Sequence, residues 1–163
     1  MKPPHRKFLL WTLVILWMSG IFAFSAQDAH ESSAISGHVV YAVVDTVNPR
    51  FSELPKEHQD SIVSDLQHIT RKTAHVLVYM VLGVLCMAAF MQHTSKRPYI
   101  PAALLSAFYA ASDELHQVFV AGRGPQITDV MIDTAGACAG ITIVLLILHV
   151  RKKSRVPKNA ALI

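Results

Sequence analysis

Long apolar runs alternate with polar segments along the chain and predict membrane-spanning helices. The hydrocarbon core of a bilayer is about 30 Å thick and an α-helix rises about 1.5 Å per residue, so a span needs roughly 20 helical residues. Four segments approach or reach that length: residues 8–24, 74–91, 99–121 and 127–150. The pattern therefore predicts a single all-α membrane domain over residues 1–163, built as a bundle of four transmembrane helices.

The segments between the spans are predicted to lie outside the bilayer. Residues 25–73 form a long polar stretch that we expect to be an outer loop, and residues 151–163 form a polar tail. Within the loop, Val39–Val47 is apolar but too short to cross a membrane. Two interpretations of this segment stay open: an amphipathic helix at the membrane interface, or a segment that dips back between the spans.

Composition and charge support the membrane interpretation and indicate an orientation. Hydrophobic residues make up 52% of the chain and charged residues 16%, which is more apolar than an ordinary soluble domain. Most of the 15 Lys and Arg residues lie in residues 2–7, 96–97 and 151–158. Positive charge is normally retained on the cytoplasmic side, so both termini are predicted to be cytoplasmic. The alternative is that the first apolar run is a cleaved signal peptide.

Several classes of partner and cofactor are disfavoured by the same sequence. The net charge is +4, but the basic residues flank apolar runs and form no patch for nucleic acid. Cys86 and Cys138 lie inside apolar segments and lack CxxC spacing, and the HExxH zinc motif is absent. We predict no cofactor, no metal and no nucleic-acid partner, and the oligomeric state stays open.

Acidic and polar side chains inside the last two spans are the first candidates for chemistry. Charges within hydrocarbon are costly, so their presence indicates a functional site by default. In the third span Asp113 and Gln117 lie one turn apart on one face, with Glu114 about 100° round the helix. In the fourth span Asp129 and Asp133 lie one turn apart. Both polar arcs are expected to face the inside of the bundle.

Basic residues provide partners for these carboxylates. Arg71, His75 and Tyr79 descend one face of the second span, with Lys72 beside them, and Arg123 lies in the short turn before the fourth span. Every polar arc begins at the outer end of its helix, so we expect one outward-facing polar pocket. The alternative is a structural network of ion pairs that only holds the helices together.

Two glycines continue the acidic stripe of the fourth span. Gly136 and Gly140 form a Gly-x-x-x-Gly pattern, which lets another helix approach closely. We therefore expect a tight helix contact directly below the carboxylates.

Polar motifs occur in a fixed order between residues 20 and 140. They are Phe24-Ser25-Ala26-Gln27, Arg71-Lys72-Thr73-Ala74-His75 with Tyr79, Ser112-Asp113-Glu114-Leu115-His116-Gln117, Gly122-Arg123 and Asp129. Together these motifs resemble the VanZ family. The resemblance implies a small multispan protein of the bacterial inner membrane, whose namesake is associated with low-level resistance to the lipoglycopeptide teicoplanin.

The resemblance also indicates which residues form the site. By motif matching it selects Gln27, Arg71, Lys72, His75, Tyr79, Asp113, Glu114, Gln117, Arg123 and Asp129. Asp133 stands where the family commonly has Asn, and it adds a further carboxylate to the candidate ligand-binding set.

Several functions are compatible with such a site. The leading hypothesis is binding or handling of an amphiphilic envelope lipid, a lipid-linked envelope precursor or a lipoglycopeptide, with an effect on teicoplanin susceptibility. A membrane-embedded enzyme is the alternative, with Asp113, Glu114, His116 and Asp129 as candidate catalytic groups for acid–base chemistry on a lipid head group. A lipid transporter and a structural scaffold also stay open, as does whether the chain is an enzyme at all.

Overall fold

A computed structural model describes residues 4–27, 29–93, 96–121, 124 and 126–154 of the chain. All regular secondary structure in these residues is helical. The elements are α1 (Pro4–Ser25), α2 (Ala29–Val47), a short 3-10 helix (Phe51–Glu53), α3 (Lys56–Phe90), α4 (Tyr99–Gln117) and α5 (Ile127–Ser154). The predicted all-α class is confirmed.

Three segments of the described chain are long and apolar enough to cross a membrane. They are His5–Ser25, Lys56–Phe90 and Ile127–Ser154. α4 does not reach the same hydropathy because its last turns contain Asp113, Glu114 and Gln117. These three polar side chains are buried in the bundle, so the exposed surface of α4 is more apolar than its average composition indicates.

The stretch 25–73, predicted as a loop, is largely helical. α2 occupies its middle, and α3 begins at Lys56 and continues without a break to Phe90. Pro49 and Pro55 lie between the two helices, where the backbone turns. Hydropathy alone does not detect the first half of α3 because its few apolar side chains are separated by charged and polar ones.

α2 packs along the first half of α3 through a small apolar cluster. Val40, Phe51 and Val63 are its buried members. The hydroxyl of Tyr41 donates a 2.8 Å hydrogen bond to Asp60 Oδ1, and this bond raises the pKa of Tyr41 above its ordinary value. The segment Val39–Val47 is thus the second half of an amphipathic helix lying beside α3.

The most extensive helix contact joins α3 to α5. Gly83 of α3 lies against the backbone of Ala137, and Gly140 of α5 lies against the backbone of Met80. At both positions a Cβ atom would overlap a carbonyl oxygen of the facing helix. The expected tight contact involving Gly140 is confirmed, because only glycine allows backbones to come this close.

α1 and α4 complete the bundle around α3 and α5. Trp17 Nε1 donates a 3.0 Å hydrogen bond to the carbonyl of Val78, and the Tyr109 hydroxyl donates one to the carbonyl of Met18 at 2.5 Å. Both bonds tie α1 to its neighbours across the bundle. As a result, the middle of α3 lies beside the ends of α1 and α4 and the beginning of α5.

Candidate functional site

A polar cavity of about 80 Å³ lies between α3 and α5. Both helices present residues spaced three or four apart, the separation that places side chains on one helix face. The lining residues are His68, Arg71, Lys72 and His75 from α3, and Gln126, Asp129, Ile132 and Asp133 from α5. We call this space the polar cavity. One wall is basic and the other acidic.

Two charge contacts connect these walls. Lys72 Nζ lies 3.1 Å from Asp129 Oδ1, and about 30% of each side chain is exposed (31% and 27%). Deeper in the cavity, His75 Nδ1 lies 3.5 Å from Asp133 Oδ1, and the Asp133 side chain is only 3% exposed. Both side chains of the first pair are partly exposed, whereas the second pair joins a partly exposed histidine (27%) to a buried carboxylate at the floor of the cavity.

A second group of polar side chains lies behind that floor, in the interior of the bundle. Asp113 is 3% exposed, and the Ser25 hydroxyl, the Tyr79 hydroxyl and the Gln117 amide are its nearest polar neighbours. We call Ser25, Tyr79, Asp113, Gln117 and Asp133 the buried cluster. Asp133 belongs to both groups because it faces Asp113 as well as His75.

Glu114 connects the end of α4 to the beginning of α5. Its Oε1 atom accepts a 2.5 Å hydrogen bond from the backbone N–H of Gln126. Gln126 directly precedes α5, where backbone N–H groups lack partners within the helix. A carboxylate at this position also interacts favourably with the positive end of the helix dipole. The observed role of Glu114 is therefore to fix the start of the helix that presents Asp129 and Asp133.

The structure divides the predicted single pocket into two parts. Arg71, Lys72, His75, Asp129 and Asp133 line the polar cavity, as the helix periodicity predicts. The remaining predicted residues inside the bundle, Tyr79, Asp113 and Gln117, lie in the buried cluster. The polar cavity thus brings together five of the predicted residues, and these three lie outside its lining. Which side chains reach the polar cavity depends on the distance between the helix axes. The spacing of residues in the sequence does not predict that distance.

Besides Glu114, two predicted residues, His116 and Gln27, belong to neither group. His116 stacks on Phe22 of α1, with ring centroids 4.2 Å apart, and is not among the residues that line the cavity. Gln27 is half-buried just after α1, where its backbone N–H bonds to the carbonyl of Phe24. Arg123 lies outside the described residues.

Sequence reasoning missed His68, Gln126 and Ile132 as lining residues and Ser25 as a neighbour of Asp113. His68 precedes Arg71 by three residues and Lys72 by four, so the same face periodicity could have found it. Ser25 has no comparable pattern within α1. Its position next to Asp113 depends on how α1 packs against α4.

Comparisons with known proteins add one finding. The family model described as VanZ/LLP1 matches residues 10–148, which include every residue of the polar cavity and of the buried cluster. Comparison with curated proteins and with solved structures gives no match.

Proposed function

This chain belongs to the VanZ/LLP1 family, and we propose that its polar cavity binds the head group of an amphiphilic envelope lipid. The observation that carries the proposal is the charge arrangement of the cavity. Arg71 and Lys72 face Asp129 and Asp133 in one space at the ends of the spans. A head group that contains both an anionic group and hydroxyl or amino groups would match both walls.

The proposed membrane arrangement has four spans, with α4 as the third along the chain. Its 19 residues correspond to about 28 Å of helix, close to the thickness of the hydrocarbon core. Leu104, Phe108 and Leu115 of α4 are 66%, 73% and 66% exposed, and in water such side chains would be unfavourable. With four spans and the basic segments inside, both termini lie in the cytoplasm and the polar cavity opens at the outer face of the bacterial inner membrane.

The size of the cavity favours a small polar group. A volume of about 80 Å³ holds roughly six water molecules, since one water needs about 10–15 Å³ in this measure. That space suits a phosphate or a comparable head group but not the peptide body of a glycopeptide. The acyl chains of the ligand would stay in the surrounding lipid.

The Lys72–Asp129 pair gives the cavity a simple mode of binding. Both side chains are partly solvated, so their separation costs little. A phosphate oxygen can take the place of the Asp129 carboxylate on Lys72, while Arg71 offers a planar fork of N–H donors for the same anion. Asp129 is then available to accept a hydrogen bond from a hydroxyl or amino group of the ligand.

Native mass spectrometry tests this binding directly. The protein is released from membranes made of phosphatidylglycerol and phosphatidylethanolamine, and the lipids that stay attached are identified. We expect retained lipid on the natural protein and a several-fold loss for Lys72→Gln and Arg71→Gln. Lys152→Gln is the matched control, because Lys152 is an exposed basic residue at the other end of α5. Equal retention by all variants would contradict the proposal, and conversion of the retained lipid to a new product would indicate an enzyme instead.

An effect on lipoglycopeptide susceptibility would follow from the same site. A glycopeptide with a fatty chain inserts into the outer leaflet, where it meets the lipids that this protein is proposed to bind. We expect cells that produce the natural protein to tolerate teicoplanin better than cells that produce Lys72→Gln at equal abundance. A glycopeptide without a fatty chain is the control, and its activity should not change. Equal teicoplanin tolerance in both strains would exclude this consequence.

A further inference from the structure

The buried cluster contains polar side chains that lie close together without reaching normal hydrogen-bond geometry. Both carboxylate oxygens of Asp113, the Tyr79 hydroxyl and the Ser25 hydroxyl are inaccessible to solvent and make no hydrogen bond of normal geometry with the described residues. Each of these side chains is at least nine-tenths buried, with exposures of 1–3%. Buried polar groups in native proteins nearly always have a hydrogen-bond partner. We therefore expect the buried cluster to bind a ligand.

The charges of the cluster indicate which ligand it is. Asp113 and Asp133 are both buried and face each other across the α4–α5 contact. His75 attracts both carboxylates, but its Nδ1 lies beside Asp133. A single imidazole ring therefore lies near two carboxylates. An isolated ionised carboxylate in such surroundings is strongly unfavourable, and two adjacent carboxylates are expected to share a proton.

We propose that the buried cluster is a proton-binding site and that Asp113 holds the proton. Protonation turns one acceptor oxygen of Asp113 into an O–H donor, which the Ser25 or Tyr79 hydroxyl can accept. It also removes the negative charge that His75 leaves uncompensated. The proton comes from water in the polar cavity and returns there, with His75 lying between that water and the two carboxylates. This proposal does not depend on lipid binding, although His75 and Asp133 also line the polar cavity.

Other occupants explain the observations less completely. A water molecule would supply donors but leave both negative charges in place. A metal ion prefers several anionic or imidazole ligands at once, and the described part of the chain contains no grouping of three His, Cys, Asp or Glu side chains suited to one. A proton removes one of the two negative charges and adds a donor within the cluster.

The groups that face Asp113 come from every helix packed around it. α1 contributes the Ser25 hydroxyl, α3 contributes His75 and Tyr79, and α5 contributes Asp133. Tyr109 and Glu114 act on it from within α4 itself. Among the groups just named, His75 is the one that can become positively charged, and its Nδ1 lies beside Asp133.

Infrared spectroscopy of the purified protein tests the proposal because a protonated carboxyl group has its own carbonyl stretching band. We expect this band at neutral pH in the natural protein and its loss in Asp113→Asn. Asp129→Asn is the matched control: Asp129 is paired with Lys72 and partly exposed, so the band should persist. Absence of the band in the natural protein, or its loss only in Asp129→Asn, would overturn the proposal.

Two further measurements keep the test decisive if Asp113→Asn does not fold. In natural protein grown with isotope-labelled aspartate, the band should shift, whereas an unshifted band would assign the proton to a glutamate and refute the proposal. Adding sodium at constant neutral pH should leave the band in place. Its disappearance with sodium would identify a metal-cation site rather than a proton site.

Discussion

Gly136 of α5 lies directly against the backbone of Val76 in α3: a Cβ atom added to Gly136 would be 2.6 Å from the Val76 carbonyl oxygen. Val76 follows His75 in sequence, and Gly136 lies three residues after Asp133. The close contact therefore determines how near the imidazole comes to the carboxylate. The geometry of the polar cavity depends on this glycine, although Gly136 is not among the residues that line it.

Replacing Gly136 by Ala is expected to lower the free energy of unfolding by roughly 1–3 kcal/mol, the usual cost of inserting a side chain into a packed contact. Gly20→Ala is the control, because a Cβ atom there would meet nothing within 4 Å. Thermal unfolding in detergent measures both. Equal stability of the two variants would contradict the close approach of α3 and α5.

The sequence predicts this contact and the facing residues because both depend on helix periodicity. Residues four apart lie on one face wherever the helix is placed, so His75, Asp129 and Asp133 could be assigned to the site without a structure. How deeply each side chain is buried could not be predicted in this way. Tyr79 lies one turn below His75, but packing of α1 and α4 over it separates it from the cavity.

The beginning of α3 could not be predicted for a related reason. Residues 56–72 are mostly polar, and their helix is stabilised by contacts with α2 through Val63 and Leu66. Such contacts join segments that are separate in sequence, and neither segment has an apolar run long enough to be recognised as a span. The uninterrupted apolar runs gave much better predictions of helix position in α1 and α5.

The Lys72–Asp129 ion pair is expected to contribute only modestly to stability. Both side chains are partly exposed, and solvent screening limits such pairs to about 0.2–1 kcal/mol. A double-mutant cycle with Lys72→Met and Asp129→Asn measures the coupling through unfolding in detergent. A coupling energy well above that range would show that the ion pair holds α3 and α5 together and is not readily replaced by a ligand.

Tyr109→Phe is expected to destabilise the bundle by about 1 kcal/mol. The substitution removes the hydrogen bond to the Met18 carbonyl, and a typical net value for such a bond is of that order. Tyr99→Phe is the matched control because Tyr99 is 39% exposed. If both variants unfold at the same temperature, the hydroxyl of Tyr109 does not hold α1 to α4.

Reporter fusions test the proposed arrangement of four spans. An alkaline phosphatase fused after Ser154 should be inactive, because that position is predicted to be cytoplasmic, and one fused after Asn48 should be active outside. A fusion after Arg97 should again be inactive. An active fusion after Ser154 together with an inactive fusion after Arg97 would mean that an odd number of spans lies between these positions. That result would exclude the proposal that α4 and α5 both cross the membrane.

Photocrosslinking from inside the polar cavity tests the central claim most directly. A small diazirine amino acid replaces Ile132, which lines the cavity, or its neighbour Met131, which is 67% exposed. After illumination in native membranes, the lipids attached to each position are identified by mass spectrometry. The proposed function predicts that position 132 captures one head-group class far above its abundance in the membrane and that position 131 captures bulk lipid. The same lipid composition at both positions, or capture of no lipid at position 132, would contradict it.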